Sequence, residues 1–65
     1  MQGVVKSWGV YKRSRKRYGY IEGMDRKTYF FRDSDCIDYQ GFEKGDNVVF
    51  ATKGEKAINV RKCSM

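Results

Sequence analysis

Residues 18–32, Tyr18-Gly19-Tyr20-Ile21-Glu22-Gly23-Met24-Asp25-Arg26-Lys27-Thr28-Tyr29-Phe30-Phe31-Arg32, hold two short runs rich in aromatic and β-branched side chains, Tyr18–Glu22 and Thr28–Arg32. Gly23, Met24 and Asp25 lie between them and turn the chain, so the pair reads as a β-hairpin. Working outward, Val4–Trp8 closed by Gly9 reads as an earlier strand, and Asn47–Ala51 and Ala57–Arg61 as two later ones. Between the hairpin and the fourth strand, Asp33, Ser34, Asp35, Cys36, Ile37, Asp38, Tyr39 and Gln40 suit a turn or a single helical turn, with the acids as turn and capping residues. No segment sustains a 3.6-residue apolar period.

Composition agrees with strands. The 65 residues contain no leucine and only two alanines, against nine valines and isoleucines and ten aromatics. A chain of this length is a single domain, residues 1–65, because it buries only about 60% of its unfolded surface. Five strands in so few residues are expected to curl into a small barrel, since an open sheet leaves one apolar face wet and two edges unpaired. The expected fold class is therefore all-β.

Alternation along each strand assigns faces. Val5, Ile21, Phe30, Val48, Phe50, Ile58 and Val60 are expected to point inward together. Lys6, Trp8, Tyr18, Tyr20, Tyr29 and Phe31 are then left on the solvent side of three neighbouring strands. Monomers seldom expose so large an apolar patch without a use for it. Aromatic rings on a sheet are stacking platforms for unpaired bases, at about 1–3 kcal/mol per base. For a single tyrosine, a cross-strand pair that stabilises the hairpin is an equally good reading; the set of five with bases around it favours a platform. Gly19 is expected to ease the coil of the strand between its two tyrosines.

Charge points the same way. The net charge is +6 and the pI about 9.6, which favours a polyanionic partner. Residues 1–32 carry nine bases against Glu22 and Asp25, whereas residues 33–65 sum to −1. Five bases (Lys12, Arg13, Arg15, Lys16 and Arg17) fall within six residues just before the Tyr18 strand, where they would meet phosphates at the edge of the platform. A solubilising loop is the alternative reading of that run. Lys6 and Arg32 are interleaved with the aromatics.

Other classes find little support. No apolar stretch is long enough to span a membrane, and the start lacks the pattern of a signal peptide, so a cytoplasmic protein without a membrane partner is expected. Cys36 and Cys63 lack the clustered spacing of a disulfide framework and there is no histidine, so reduced, partly buried thiols and no metal are expected. Asp33, Asp35 and Asp38 are not read as a metal site. No catalytic constellation, cofactor motif or small-molecule substrate site is recognisable; the expectation is a non-enzyme.

These residues resemble a cold-shock domain, an OB-fold barrel that binds single-stranded RNA and DNA, from Gly3 to Lys62. Gly3-Val4-Val5-Lys6 followed by an aromatic is similar to the family's G-x-V-K-W-F opening. Lys16–Glu22 resembles its motif K-G-[FY]-G-[FY]-I, Thr28–Arg32 falls where V-F-V-H-F is expected, and Ala57–Lys62 resembles the A-A-N-V ending. The resemblance implies a five-stranded antiparallel OB-fold barrel with base-stacking roles for Tyr18, Tyr20, Tyr29, Phe31 and the loop aromatic Tyr39; barrels of this size are monomers or pair through exposed edges, and a monomer is expected. It places Trp8 where the family has phenylalanine and Lys6 near the nucleic-acid backbone. It further implies an RNA chaperone or a regulator of transcription or translation in a bacterial cytosol. Ser7, Gly9, Phe31 and Arg32 depart from the pattern, with altered base preference expected. Arg17 in place of glycine and about four extra residues in the basic loop raise the electrostatic share of affinity. Two alternatives are a protein-interaction barrel that docks a polypeptide on its aromatic patch and a binder of duplex or structured RNA.

Overall fold

The computed structural model describes residues 1–10, 12–13, 15–37 and 41–63. Five strands, β1 (Gln2–Val10), β2 (Arg17–Gly23), β3 (Thr28–Arg32), β4 (Asn47–Lys53) and β5 (Lys56–Lys62), close into a barrel in the order β1-β2-β3-β5-β4. The architecture is the expected all-β, OB-fold-like barrel. The strands lie where the aromatic and β-branched runs place them, extended by one or two residues at most ends. One 3-10 turn, Asp33–Asp35, follows β3, and the Asp35 carboxylate accepts the Arg32 backbone N–H at 3.1 Å, the capping role foreseen for it.

One expectation about the strands needs correcting. Neighbours are antiparallel except β3 and β5, which meet in parallel at Phe30 and Lys56. Parity compels this: a ring with an odd number of strands cannot alternate direction at every seam. The parallel seam is short, and it is held by the Phe30 N–H donating to the Glu55 carbonyl (3.0 Å) and the Ile37 N–H donating to the Val60 carbonyl (2.8 Å).

The core consists of Val5, Ile21, Tyr29, Phe31, Phe42, Val48, Phe50, Ala57 and Val60. Val5, Ile21, Val48, Phe50 and Val60 were expected there. Phe30 and Ile58 were expected inside and are only half-buried, while Tyr29 and Phe31 were expected outside and are buried, Phe31 completely.

The β3 inversion originates in the hairpin turn. Gly23 and Lys27 close a three-residue loop, with the Gly23 N–H donating to the Lys27 carbonyl and the Arg26 N–H donating to the Gly23 carbonyl, both at 2.9 Å. Arg26 takes a left-handed conformation (φ 66°), the form in which a type I turn passes into a bulge. That loop sets the register Ile21↔Tyr29, Tyr20↔Phe30 and Gly19↔Phe31. Antiparallel partners share a face, so Tyr29 and Phe31 follow Ile21 into the core and Phe30 joins Tyr20 outside. The Tyr29 hydroxyl escapes burial at the barrel end by donating to the Asp25 carboxylate at 2.5 Å, which also accepts the Lys27 N–H at 3.1 Å.

Two further breaks in register reset faces. In β1 the pairing passes from Val5↔Ile21 to Ser7↔Tyr20, leaving Lys6 as the extra residue of a bulge. Beyond it the parity reverses and Trp8 turns toward the core side. In β5 the pairing passes from Arg61↔Val49 to Ile58↔Ala51, with Asn59 left-handed at φ 52°, so Ala57 and Val60 point inward and Ile58 does not. Asparagine tolerates that conformation better than most residues.

Candidate nucleic-acid interface

The outer surface of the β2–β3 hairpin is built from alternate residues of each strand. Tyr18 and Tyr20 project from β2 and Phe30 and Arg32 from β3, with Tyr18 paired to Arg32 and Tyr20 to Phe30. Phe30 is the centre of the cluster. Its ring centroid lies 5.7 Å from that of Tyr20, edge to face, and 6.0 Å from that of Tyr18, and the Arg32 guanidinium lies 5.6 Å from it. These separations are within the range of favourable ring and cation–π contact. Tyr20 is 42% exposed despite its neighbours. Three rings and a planar cation therefore face solvent on one patch, a surface on which a flat π-system can stack.

The patch has unlike ends. At the Glu22–Thr28 end, Lys6 from the β1 bulge pairs with Glu22 at 3.0 Å, both side chains about half exposed. Lys6 thus lies beside the hairpin face, in contact with an acid. At the Tyr18–Arg32 end lies the basic run. Lys12, Arg13, Arg15, Lys16 and Arg17 are all exposed, and Lys12 and Arg13 join Val10 and Tyr18 in lining an open cleft of about 330 Å³. Arg15 adopts a left-handed φ of 56°, a conformation that costs a residue with a Cβ about 1 kcal/mol.

Tyr29 and Phe31, expected on the platform, are withdrawn from it. Their burial, 6% and 0% exposed, comes from the hairpin register, and neither can meet a base. Trp8 is also displaced from the expected face. It is half-buried at the edge of the core, stacked on Phe31 (centroids 4.9 Å apart, planes 23° apart) and edge-on to Phe42 at 5.2 Å. Gly19 sits opposite Trp8, and its lack of a side chain admits this stack: a Cβ there would meet the Ser7 carbonyl oxygen, the Trp8 ring at 2.8 Å and the Phe31 ring at 3.2 Å. Gly19 therefore serves the core side of β2, not the spacing of its two outer tyrosines. Tyr39 lies outside the described residues.

Phe30 is the outward aromatic residue of this face that sequence reasoning missed. Pairing parity contains the signal: once Ile21 is inside, an odd-length loop between Gly23 and Lys27 obliges Tyr29, not Phe30, to join it.

Tyr29 and Asp25 perturb one another: the hydroxyl's hydrogen bond holds the Asp25 carboxyl below the ordinary carboxylate value, and the same bond holds the Tyr29 hydroxyl above the ordinary phenol value. Cys36 and Cys63 are half-buried and unpaired. The Cys36 thiol donates to the Arg32 carbonyl at 3.2 Å, and burial, helped by Asp35 and Asp33, pushes its pKa up to about 12. Asp35 is further engaged by Lys56 at 3.2 Å. Among the described residues no three His, Cys, Asp or Glu side chains converge, and no helix is long and apolar enough to cross a membrane. Comparison of the chain with protein-family models, with curated proteins and with solved structures finds no match.

Proposed function

We propose that the outer β2–β3 face binds unpaired RNA or DNA, with Tyr18, Tyr20 and Phe30 stacking on bases and Arg32 and the Lys12–Arg17 run neutralising phosphates. The observation that carries this reading is the solvent-facing cluster of Phe30, Tyr18, Tyr20 and Arg32 opening at one end onto five exposed cations. Stacking tolerates any base, because each has a π-face, so affinity without strong sequence preference is expected. In OB-folds generally, the faces of the second and third strands and the loop between the first and second are the places where oligonucleotides lie.

The resemblance to cold-shock domains supports the same reading. Shifted by one residue from Thr28–Arg32 to follow the outward side chains, the pattern V-F-V-H-F would put Phe30 at its aromatic position and Arg32 at that of histidine, with Asp33 departing from its closing phenylalanine. Arginine stacks through its guanidinium plane, so the position keeps a platform and gains a permanent charge. The biological role that follows is a binding module, not a catalyst: an RNA chaperone that competes with weak base pairing, or a regulator of transcription or translation, acting as a monomer in the cytoplasm.

The test is anisotropy titration of labelled oligouridine and oligothymidine with the wild-type protein and Phe30→Ala. Saturable binding that weakens with salt and with loss of Phe30 is expected. Binding indifferent to Phe30 would refute a stacking platform and favour a surface that docks a polypeptide.

A further inference from the structure

We infer that Arg32 reads the base stacked on Phe30 and that the base it selects is guanine, the guanidinium fork donating to guanine N7 and O6 on the edge that an unpaired strand leaves free. The inference rests on the nucleic-acid reading proposed above and adds a preference at one position of a ligand whose other bases are held by stacking.

Arg32 stands among the rings. On the outward face of the hairpin it is paired across to Tyr18 and lies two residues from Phe30 on β3. Its guanidinium carbon is 5.6 Å from the Phe30 centroid, close to the limit of about 6 Å for cation–π contact, so the group borders the ring without covering it. A base laid on Phe30 therefore has a planar cation at its edge. The Arg32 backbone is held on both sides: its N–H donates to the Asp35 carboxylate at 3.1 Å, and its carbonyl accepts the Cys36 thiol at 3.2 Å. A planar fork carried on a fixed backbone loses less freedom on binding than a cation on a loop.

Charge alone accounts poorly for a cation in this place. Asp33 follows Arg32 directly, and Asp35, in the same 3-10 turn, is paired with Lys56 at 3.2 Å. Asp33 offsets the pull of Arg32 on a phosphate, whereas the run Lys12–Arg17 contains no acid. Hydrogen bonds to a neutral base edge are short-ranged and directional, and such a neighbour leaves them intact. Among the described residues no carboxylate is ion-paired with the Arg32 side chain, while Lys6, Lys56 and Lys62 each hold one, at 3.0, 3.2 and 3.4 Å.

The fork selects the base. A guanidinium offers donors only, and two of them lie parallel. Guanine answers with two neighbouring acceptors, N7 and O6, whereas adenine sets an amino donor beside its N7 and a uracil or thymine edge carries one acceptor. Cytosine has neighbouring acceptors, O2 and N3, on a single ring that covers less of Phe30 than a purine does. A bidentate contact of this kind discriminates between bases by about 5- to 150-fold.

The experiment measures the anisotropy of a labelled short oligouridine and of the same strand carrying one central guanine, adenine, cytosine or 7-deazaguanine, the last keeping O6 and replacing N7 by carbon. The guanine strand is expected to bind about fivefold or more tighter than the uridine, adenine and cytosine strands, and 7-deazaguanine is expected to lose most of that gain. Arg32→Lys, checked for folding by circular dichroism, keeps the charge without the fork; it is expected to bind oligouridine within about twofold of wild type and all five strands alike. A guanine strand no tighter than the adenine or cytosine strand, a 7-deazaguanine strand equal to guanine, or a preference that persists in Arg32→Lys overturns the inference. The strand series uses the wild-type protein and so decides the matter even where the variant fails to fold. Phe30-dependent binding of oligouridine without a guanine preference overturns the reading by Arg32 and leaves the stacking platform standing. Failure of every strand to bind overturns both.

Discussion

Phe30 and Phe31 are the same residue type at adjacent positions, and truncating each to alanine is expected to give opposite phenotypes. Phe31 is completely buried, stacked on Trp8 at 4.9 Å and edge-on to Phe42 at 5.3 Å. Removing a ring from such a site costs about 3–5 kcal/mol, the transfer term plus the cavity left behind. A single core in a domain of this size supplies no more than about 3–5 kcal/mol of stability, so Phe31→Ala consumes nearly all of it. The variant is expected to be largely unfolded at 25 °C. Phe30 is half-buried on the outer face and loses only cross-strand contacts with Tyr20 and Tyr18, worth about 0.2–1 kcal/mol per pair. Phe30→Ala should therefore stay folded, with its midpoint lowered by roughly 4–8 °C for each kcal/mol lost. Its affinity for an unpaired oligonucleotide should fall by the stacking energy of one base, about 1–3 kcal/mol, or roughly 5- to 150-fold. Thermal and urea unfolding followed by far-UV circular dichroism give the stabilities, and anisotropy at a temperature where the variant is fully folded gives the affinity. A stable Phe31→Ala with weakened binding, beside a destabilised Phe30→Ala with normal binding, would refute the hairpin register and reinstate the opposite face.

The remaining expectations concern the core and the titratable groups. Gly19→Ala places a methyl against the Ser7 carbonyl and the Trp8 and Phe31 rings; overpacking of this kind costs about 1–3 kcal/mol, so a loss of roughly 10 °C in Tm is expected, and an unchanged Tm would show that Trp8 does not pack there. The Asp25–Tyr29 hydrogen bond works at both ends of the pH scale. Because the folded carboxyl is held below its ordinary value of 3.8, its stabilising contribution is present above that pH and disappears as pH falls through the lowered value. Because the folded phenol is held above 10.0, its contribution is full below that pH and is lost as pH rises through the raised value. Tyr29→Phe should flatten the stability profile at both ends, measured by urea midpoints from pH 2 to 11; a profile like wild type would count against the bond. Cys36, with its thiol at about 12 and donated to the Arg32 carbonyl, should resist iodoacetamide at pH 8 in the folded protein and react on unfolding, as read by peptide mass spectrometry. Rapid native alkylation at Cys36 would refute that placement.

The residue types alone determined where the strands lie and that they close. Val, Ile, Tyr and Phe in five short runs separated by glycines and acids favour pleated segments, and 65 residues leave no way to cover a flat sheet except by curling it. The asymmetry of charge and the outward placement of Tyr18 and Tyr20 were also legible, because Ile21 between them has one apolar face to satisfy. Strict alternation breaks down at three places, each where one residue is added to a repeat of two. A three-residue turn around Arg26 slides β3 by one position and exchanges Phe30 for Tyr29 and Phe31; the bulge at Lys6 turns Trp8 toward Phe31; and left-handed Asn59 puts Ala57 in the core in place of Ile58. In β3 every residue from Tyr29 to Phe31 is aromatic, so hydrophobicity cannot choose between the two faces. The choice is made by the backbone geometry of the turn and the hydrogen bonds across the hairpin, which hydrophobic alternation does not encode, and the register they set decides which of the three rings meets solvent.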